Sequence, residues 1–224
     1  MHTTIVAATL FEIEPTRQFL VDNFQSEKPL IFTKKDTTVQ ILITGVGTTA
    51  TAFALGHYLS HVKTNLLINA GIAGAFSEKH NLGDVFLIEK DRFGDLGVEE
   101  SDGRFVDVFE LEMPAPNTPP YQDGWLVNPA ATEQKFLPTG TAITVQKVHG
   151  TADSISKIRK KYPTADLESM EGAAVHYAAL MTGTPFFQIR SISNLVEPRN
   201  KDNWDIGKAI LTLNEVLRGM INIG

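Results

Sequence analysis

Cysteine is absent from all 224 residues. That excludes disulfide scaffolds, thiolate nucleophiles and cysteine-ligated zinc together, and it leaves imidazole chemistry to six histidines. None of them (His2, His57, His61, His80, His149, His176) falls in an HExxH pattern. The His57/His61 pair, four residues apart, has no acidic neighbour to complete a ligand set, so no metal is expected. Long apolar runs are missing too: nothing is long enough to span a bilayer, and the N-terminus lacks the basic residue and apolar segment of a secretion signal. The expectation is a cytoplasmic chain with no membrane partner. Positive charge is also in deficit. A formal net charge of −6 argues against an extended nucleic-acid surface and towards a small-molecule partner.

What is present suits one domain over residues 1–224: the chain is 42% hydrophobic and 21% charged, enough apolar material for a substantial core. Strand-like runs at 4–8, 39–44, 65–69, 84–89, 142–148 and 186–191 alternate with helical patterns at 14–24, 48–61, 151–161, 170–182 and 206–221. This alternation predicts an α/β fold layered around a largely parallel or mixed sheet. Around Pro114, Pro116, Pro119 and Pro120 the pattern lapses, because proline removes the amide donors a sheet needs. Residues 100–135 therefore read as a surface excursion, a lid or a subunit contact.

Four motifs stand out. Leu167-Glu168-Ser169-Met170-Glu171-Gly172-Ala173-Ala174 puts two carboxylates and a thioether at the head of an Ala-rich helix, where acidic groups also suit the helix dipole. Arg190-Ser191-Ile192-Ser193-Asn194 closes the apolar run 185–189 with polar side chains at the C-terminal end of a strand, the edge where open α/β sheets bind ligands. Gly45-Val46-Gly47 and Asn69-Ala70-Gly71-Ile72-Ala73-Gly74 are Gly-rich strand ends. The first lacks the third glycine of a dinucleotide fingerprint and the Lys-Ser/Thr of a P-loop, so by itself it marks no more than a tight turn.

Taken together and in their order along the chain, the four motifs resemble the nucleoside phosphorylase and nucleosidase superfamily, and the stretches 93–99 and 193–200 are similar to its futalosine hydrolases. The resemblance implies a three-layer α/β/α domain with a central mixed sheet, a homo-oligomer with a dimer favoured, no cofactor, and hydrolysis of futalosine to hypoxanthine in menaquinone biosynthesis. It also implies roles. Glu12 would activate water, with Glu14 as the alternate. Glu171 would accept hydrogen bonds from the ribose hydroxyls, Met170 would pack on the sugar, and Glu168 would hold water, support Glu171 or remain a solvated helix-end charge. Gly47 and Gly71 would admit the substrate close to the backbone, while Val148 and His149, at the end of a strand, would line the purine. Phe93, Asp95 and Trp204 would meet the part beyond the ribose, and Arg92 or Arg199 could fork a carboxylate there.

Two departures refine the expectation. Phosphorylases of the superfamily carry an arginine before the second glycine loop to hold phosphate, whereas Asn69 stands in that place here. An anionic nucleophile needs a cationic cradle and water does not, so hydrolysis is favoured, although Arg92, Arg190 or Arg199 could supply one in the fold. Asn194 replaces the aspartate of adenine-releasing nucleosidases, and its amide can donate to N7 and O6 of a 6-oxopurine. Methylthioadenosine/S-adenosylhomocysteine nucleosidase and purine nucleoside phosphorylase remain as alternatives. A non-catalytic nucleoside-binding protein is a third, disfavoured because pure recognition needs no water-activating glutamate.

Overall fold

The computed structural model describes residues 1–134 and 136–222. Its spine is a mixed sheet built from β1 (His2–Ala7), β2 (Gln25–Lys28), β3 (Ile31–Lys34), β4 (Thr37–Ile43), β5 (Leu66–Ala75), β6 (Val85–Phe93), β9 (Leu126–Val127), β10 (Thr139–Thr144), β11 (Leu167–Ser169) and β12 (Phe186–Leu195). A separate hairpin joins β7 (Gly97–Glu99) to β8 (Phe105–Asp107). The main order is β11-β10-β6-β12-β5-β1-β4-β3-β2, and β11 also pairs with β5. That extra pairing curls one end of the sheet into a closed ring of β5, β12, β6, β10 and β11.

Helices cover both faces, as the alternating pattern predicts. Helices α1 (Leu10–Asn23) and α6 (Ile206–Asn222) pack together on one side, their Ile13, Leu20, Leu213 and Leu217 burying against Ile5, Ile41 and Ile68. On the other, α2 (Thr48–His61) and α5 (Gly172–Thr182) bring Leu55, Val175 and Ala179 onto Val6, Leu67 and Phe186. Short α3 (Pro129–Glu133) follows β9, and α4 (Ala152–Lys161) packs Ile155 and Ile158 against Ile143 and Val145.

Three local differences from the sequence pattern bear on the site. Helix α1 starts at Leu10 rather than 14, because Thr9 and Glu12 form a Thr-x-x-Glu box: Glu12 Oε2 accepts from the Thr9 amide and hydroxyl, each at 3.1 Å. Strand β10 ends at Thr144, so Val148 and His149 lie in a loop and not on a strand. Residues 167–169 form a strand of their own and α5 begins only at Gly172, which moves Glu168 off the helix and leaves Glu171 as its N-cap residue. The proline-rich stretch is exposed around 112–120, yet Leu126 and Ala131 are fully buried, so residues 100–135 are a surface excursion only in part.

Beneath the head of α5 lies a buried polar cluster. Asp91 accepts from Thr144 Oγ1 and Gln188 Nε2, both at 2.9 Å, and Thr144 Oγ1 in turn accepts the Ala173 amide at 2.8 Å. Complete burial pushes the Asp91 carboxyl up to about 6, against the pull of these donors and of Arg190. Gly172 is the residue that lets α5 close on this cluster: a Cβ there would fall 2.2 Å from Asp91 Oδ2.

Candidate active site

A cavity of about 420 Å³ opens past the C-terminal end of β1, along the continuation of its parallel neighbours β5 and β12. Its size suits a nucleoside-scale ligand. Glu12, in the first turn of α1, lines it. One Glu12 oxygen serves the cap and the other, Oε1, takes the Ile72 amide at 3.3 Å. Glu14 does not line the cavity; it is bound to Arg17 at 2.6 and 2.8 Å, a pair that holds its carboxyl below the usual range.

Behind Gly71 stands Arg190, fully buried on β12. A Cβ on Gly71 would fall 3.1 Å from both Glu12 Oε1 and Arg190 Nη1, so the missing side chain is what lets carboxylate and guanidinium converge. Asn69 Oδ1 accepts from Arg190 Nη2 at 2.7 Å and the Ile189 carbonyl from Nη1 at 3.2 Å. Asn69 thus anchors a cation instead of facing a ligand. Burial lowers the Arg190 pKa, and the surrounding charges of Glu171, Glu12 and Asp91 oppose that shift.

Glu171 and Met170 line the cavity from the loop before α5. Gly47, at the head of α2 with φ of +90°, donates its amide to Glu171 Oε1 at 2.9 Å. Burial raises the Glu171 pKa, while the positive field of Arg190 and the Gly47 hydrogen bond act against it. A carboxylate so held can accept from vicinal hydroxyls and lies close to any positive charge that develops on a sugar.

At the other end, Gly74 of β5 is paired on one side with Asn194 of β12 and on the other with Glu168 of β11. The register of β12 shifts between Ile192 and Asn194, a bulge that brings consecutive residues, Ser193 and Asn194, onto the cavity wall. Asn194 Oδ1 accepts from Ser193 Oγ at 2.8 Å, and Nδ2 donates to the Leu195 carbonyl at 2.9 Å. One amide hydrogen is therefore left for a ligand, where the sequence reading allowed two. Glu168 is 3% exposed, far from a solvated charge. Its Oε1 accepts the His149 amide at 3.0 Å and its Oε2 holds His149 Nδ1 in a very short contact, so it orients His149 and not Glu171. Val148 and His149 both line the cavity.

Arg199 and Trp204 complete the lining at the rim, the guanidinium stacked 4.8 Å above the indole ring. The Arg199 amide also donates to the Gly150 carbonyl at 3.0 Å, tying this segment to the loop that carries His149. Phe93, Arg92 and Asp95 are not brought to the cavity, and Gly47 and Gly71, expected to admit the substrate, are not among its lining residues either. Phe93 ends β6 beyond it, Arg92 is buried with Asp107 at 3.0 Å and packed over Phe109, Trp125 and Tyr162, and Asp95 accepts the Gln146 amide at 2.6 Å. Thr9, Phe11, Glu197 and Ile206 line the cavity without having been singled out in the sequence. Of these only Thr9 carried a local signal, the Thr-x-x-Glu box. Among the described residues no group of three His, Cys, Asp or Glu could hold a metal ion, and no helix is long and apolar enough to cross a membrane.

The sequence profile of the phosphorylase superfamily matches residues 3–222. The chain belongs to that superfamily. Among relatives within it, the futalosine hydrolase of Streptomyces coelicolor is 34% identical over 154 residues, 68% of this chain and 63% of that protein's length. A 5'-methylthioadenosine/S-adenosylhomocysteine nucleosidase of Staphylococcus aureus is 22% identical over 84% of this chain and 83% of its own. The native structure of the Helicobacter pylori futalosine hydrolase superposes with a TM-score of 0.79 at 14% identity, covering 100% of this chain and 98% of that one, and so shares the fold. Relatives of both kinds cleave N-glycosidic bonds with water.

Proposed function

We propose that this superfamily member is a purine nucleosidase that hydrolyses futalosine and releases hypoxanthine, as a step of menaquinone biosynthesis. The observation that carries the reading is the convergence of Glu12, Glu171 and buried Arg190 at one end of the cavity with Asn194 at the other. Glu12 Oε1 takes the proton of an attacking water beneath the anomeric carbon. Arg190 sets a buried positive charge beside both carboxylates, and Glu171 accepts from the ribose hydroxyls while stabilising the oxocarbenium-like sugar. Met170 packs on the sugar face. Asn194 donates its remaining amide hydrogen to an acceptor of the 6-oxopurine.

Water, not phosphate, fits this floor. Arg190 is bound to Asn69 and the Ile189 carbonyl and does not itself line the cavity, and Arg199, the one permanent cation among the described lining residues, sits on Trp204 at the rim. A desolvated phosphate would lie against Glu12 and Glu171 without a cradle. The same Arg199 suits the aryl carboxylate that futalosine carries beyond its ribose, which methylthioadenosine lacks. No cofactor enters the scheme.

Asn194→Asp tests the base assignment. A carboxylate repels O6, so hypoxanthine release should fall by about 100-fold or more, read by chromatography of the freed base. Unchanged rates would remove Asn194 from the site.

A further inference from the structure

We propose that His149, oriented by Glu168, is the general acid that protonates the departing purine. The inference rests on the hydrolase reading above and adds the group that reading lacks. A purine leaves a sugar as a poor anion unless it gains a proton, yet an asparagine amide can hydrogen-bond to the base and cannot give up a proton near neutral pH. Asn194 has moreover spent one amide hydrogen on Leu195.

His149 stands at the same end of the cavity as Asn194. Glu168 and Asn194 flank Gly74 from its two sides in the sheet, so their side chains share a face, and Glu168 grips the His149 ring. With Glu168 Oε1 occupied by the His149 amide and Oε2 by Nδ1, the ring is fixed in rotation with its hydrogen on Nδ1. No described residue takes Nε2, and His149 lines the cavity, which leaves that nitrogen for the ligand. A buried carboxylate is also what stabilises an imidazolium. Around the ring, the charged groups are Glu168 on β11, Glu197 and Arg199 on the segment after β12, Glu171 at the head of α5, and exposed Lys147 on its own loop. Glu197 is turned to Asn203 Nδ2 at 2.7 Å.

In the step, the C1′–N9 bond breaks with its electron pair passing to the purine, and His149 Nε2 gives its proton to N7, so hypoxanthine departs neutral. The water oxygen bonds to C1′ and its proton goes to Glu12. Glu12 ends protonated and His149 neutral, and solvent returns the proton from one to the other. One water is consumed and nothing else.

The test pairs a purine nucleoside, futalosine or inosine, with p-nitrophenyl β-D-ribofuranoside, whose leaving group needs no proton. His149→Gln should slow the purine nucleoside about 100-fold in kcat, with KM little changed, and leave the p-nitrophenyl substrate within a few-fold. In the unmodified protein the purine-to-p-nitrophenyl rate ratio should fall as pH rises and the proton donor is lost, and Glu168→Gln, which frees the ring to rotate, should lower that ratio. Equal losses on both substrates, no loss on either, or a ratio constant between about pH 5 and 9 would overturn the assignment. If the unmodified protein cleaves adenine nucleosides and no 6-oxopurine, the substrate reading fails while the His149 ratio, taken on that substrate, still decides the acid.

Discussion

At position 12 a single carboxylate serves a helix and a cavity at once. One oxygen closes the cap with Thr9, and the other faces Ile72 and the space above Gly71. Glu12→Gln keeps the shape and removes the base, so turnover should drop 10²- to 10⁴-fold, order of magnitude, with ligand affinity retained by calorimetry. Intact turnover would contradict the role given to Glu12. Glu171, Met170 and Asn194 were legible in the sequence because each sits in a contiguous motif whose neighbours carry the resemblance, and Glu12 because it follows the first strand, where the resemblance puts the water-activating carboxylate. Glu168 was singled out as well, but its role was not legible, for its partner is His149, nineteen positions away, and its strand is three residues long. Phe93 and Arg92 misled for the opposite reason: an aromatic and an arginine beside a glycine look available, but Arg92 is consumed by Asp107 and three aromatic rings.

Helix α1 shows how an element can hold a site through a flaw. Pro15 lies within it and provides no amide, and just there the fully buried Asn214 of α6 enters the ladder. Asn214 Oδ1 accepts from the Thr16 amide at 3.0 Å and Nδ2 donates to the Glu12 carbonyl at 2.9 Å, replacing the bond that would join those two residues. The backbone of Glu12 is thereby pinned from the opposite helix. Asn214→Ala should cost about 1–3 kcal/mol in urea unfolding, since it strands a buried donor and acceptor, and should lower kcat with it. Unaltered stability would contradict the account. The sequence pattern started this helix at 14, read from the spacing of its apolar residues. The cap at Thr9 was the better signal, whereas the insertion of Asn214 spans 198 positions and has no local trace. Likewise the core strands were readable from their apolar runs, but the bulge at Ser193 and the pairing of β11 with β5 depend on long-range register.

Across the whole molecule, large apolar side chains remain exposed: Phe11 is 68% exposed, Val46 58% and, on α2, Phe53 78%. Phe11 and Val46 also line the cavity. We infer that a second copy covers this rim, as a dimer, and sedimentation equilibrium should find twice the 24.6 kDa chain mass. Phe53→Glu should then yield monomers, and a monomeric parent protein would refute the inference. The central claim concerns the chemistry inside that rim. The measurement that tests it most directly follows purine release from futalosine, inosine and methylthioadenosine, each with and without phosphate. Hypoxanthine freed from futalosine at a rate indifferent to phosphate is the predicted result. Adenine freed from methylthioadenosine in its place would contradict the reading of Asn194, and cleavage only with phosphate would contradict the floor built on Asn69, Arg190 and Glu12.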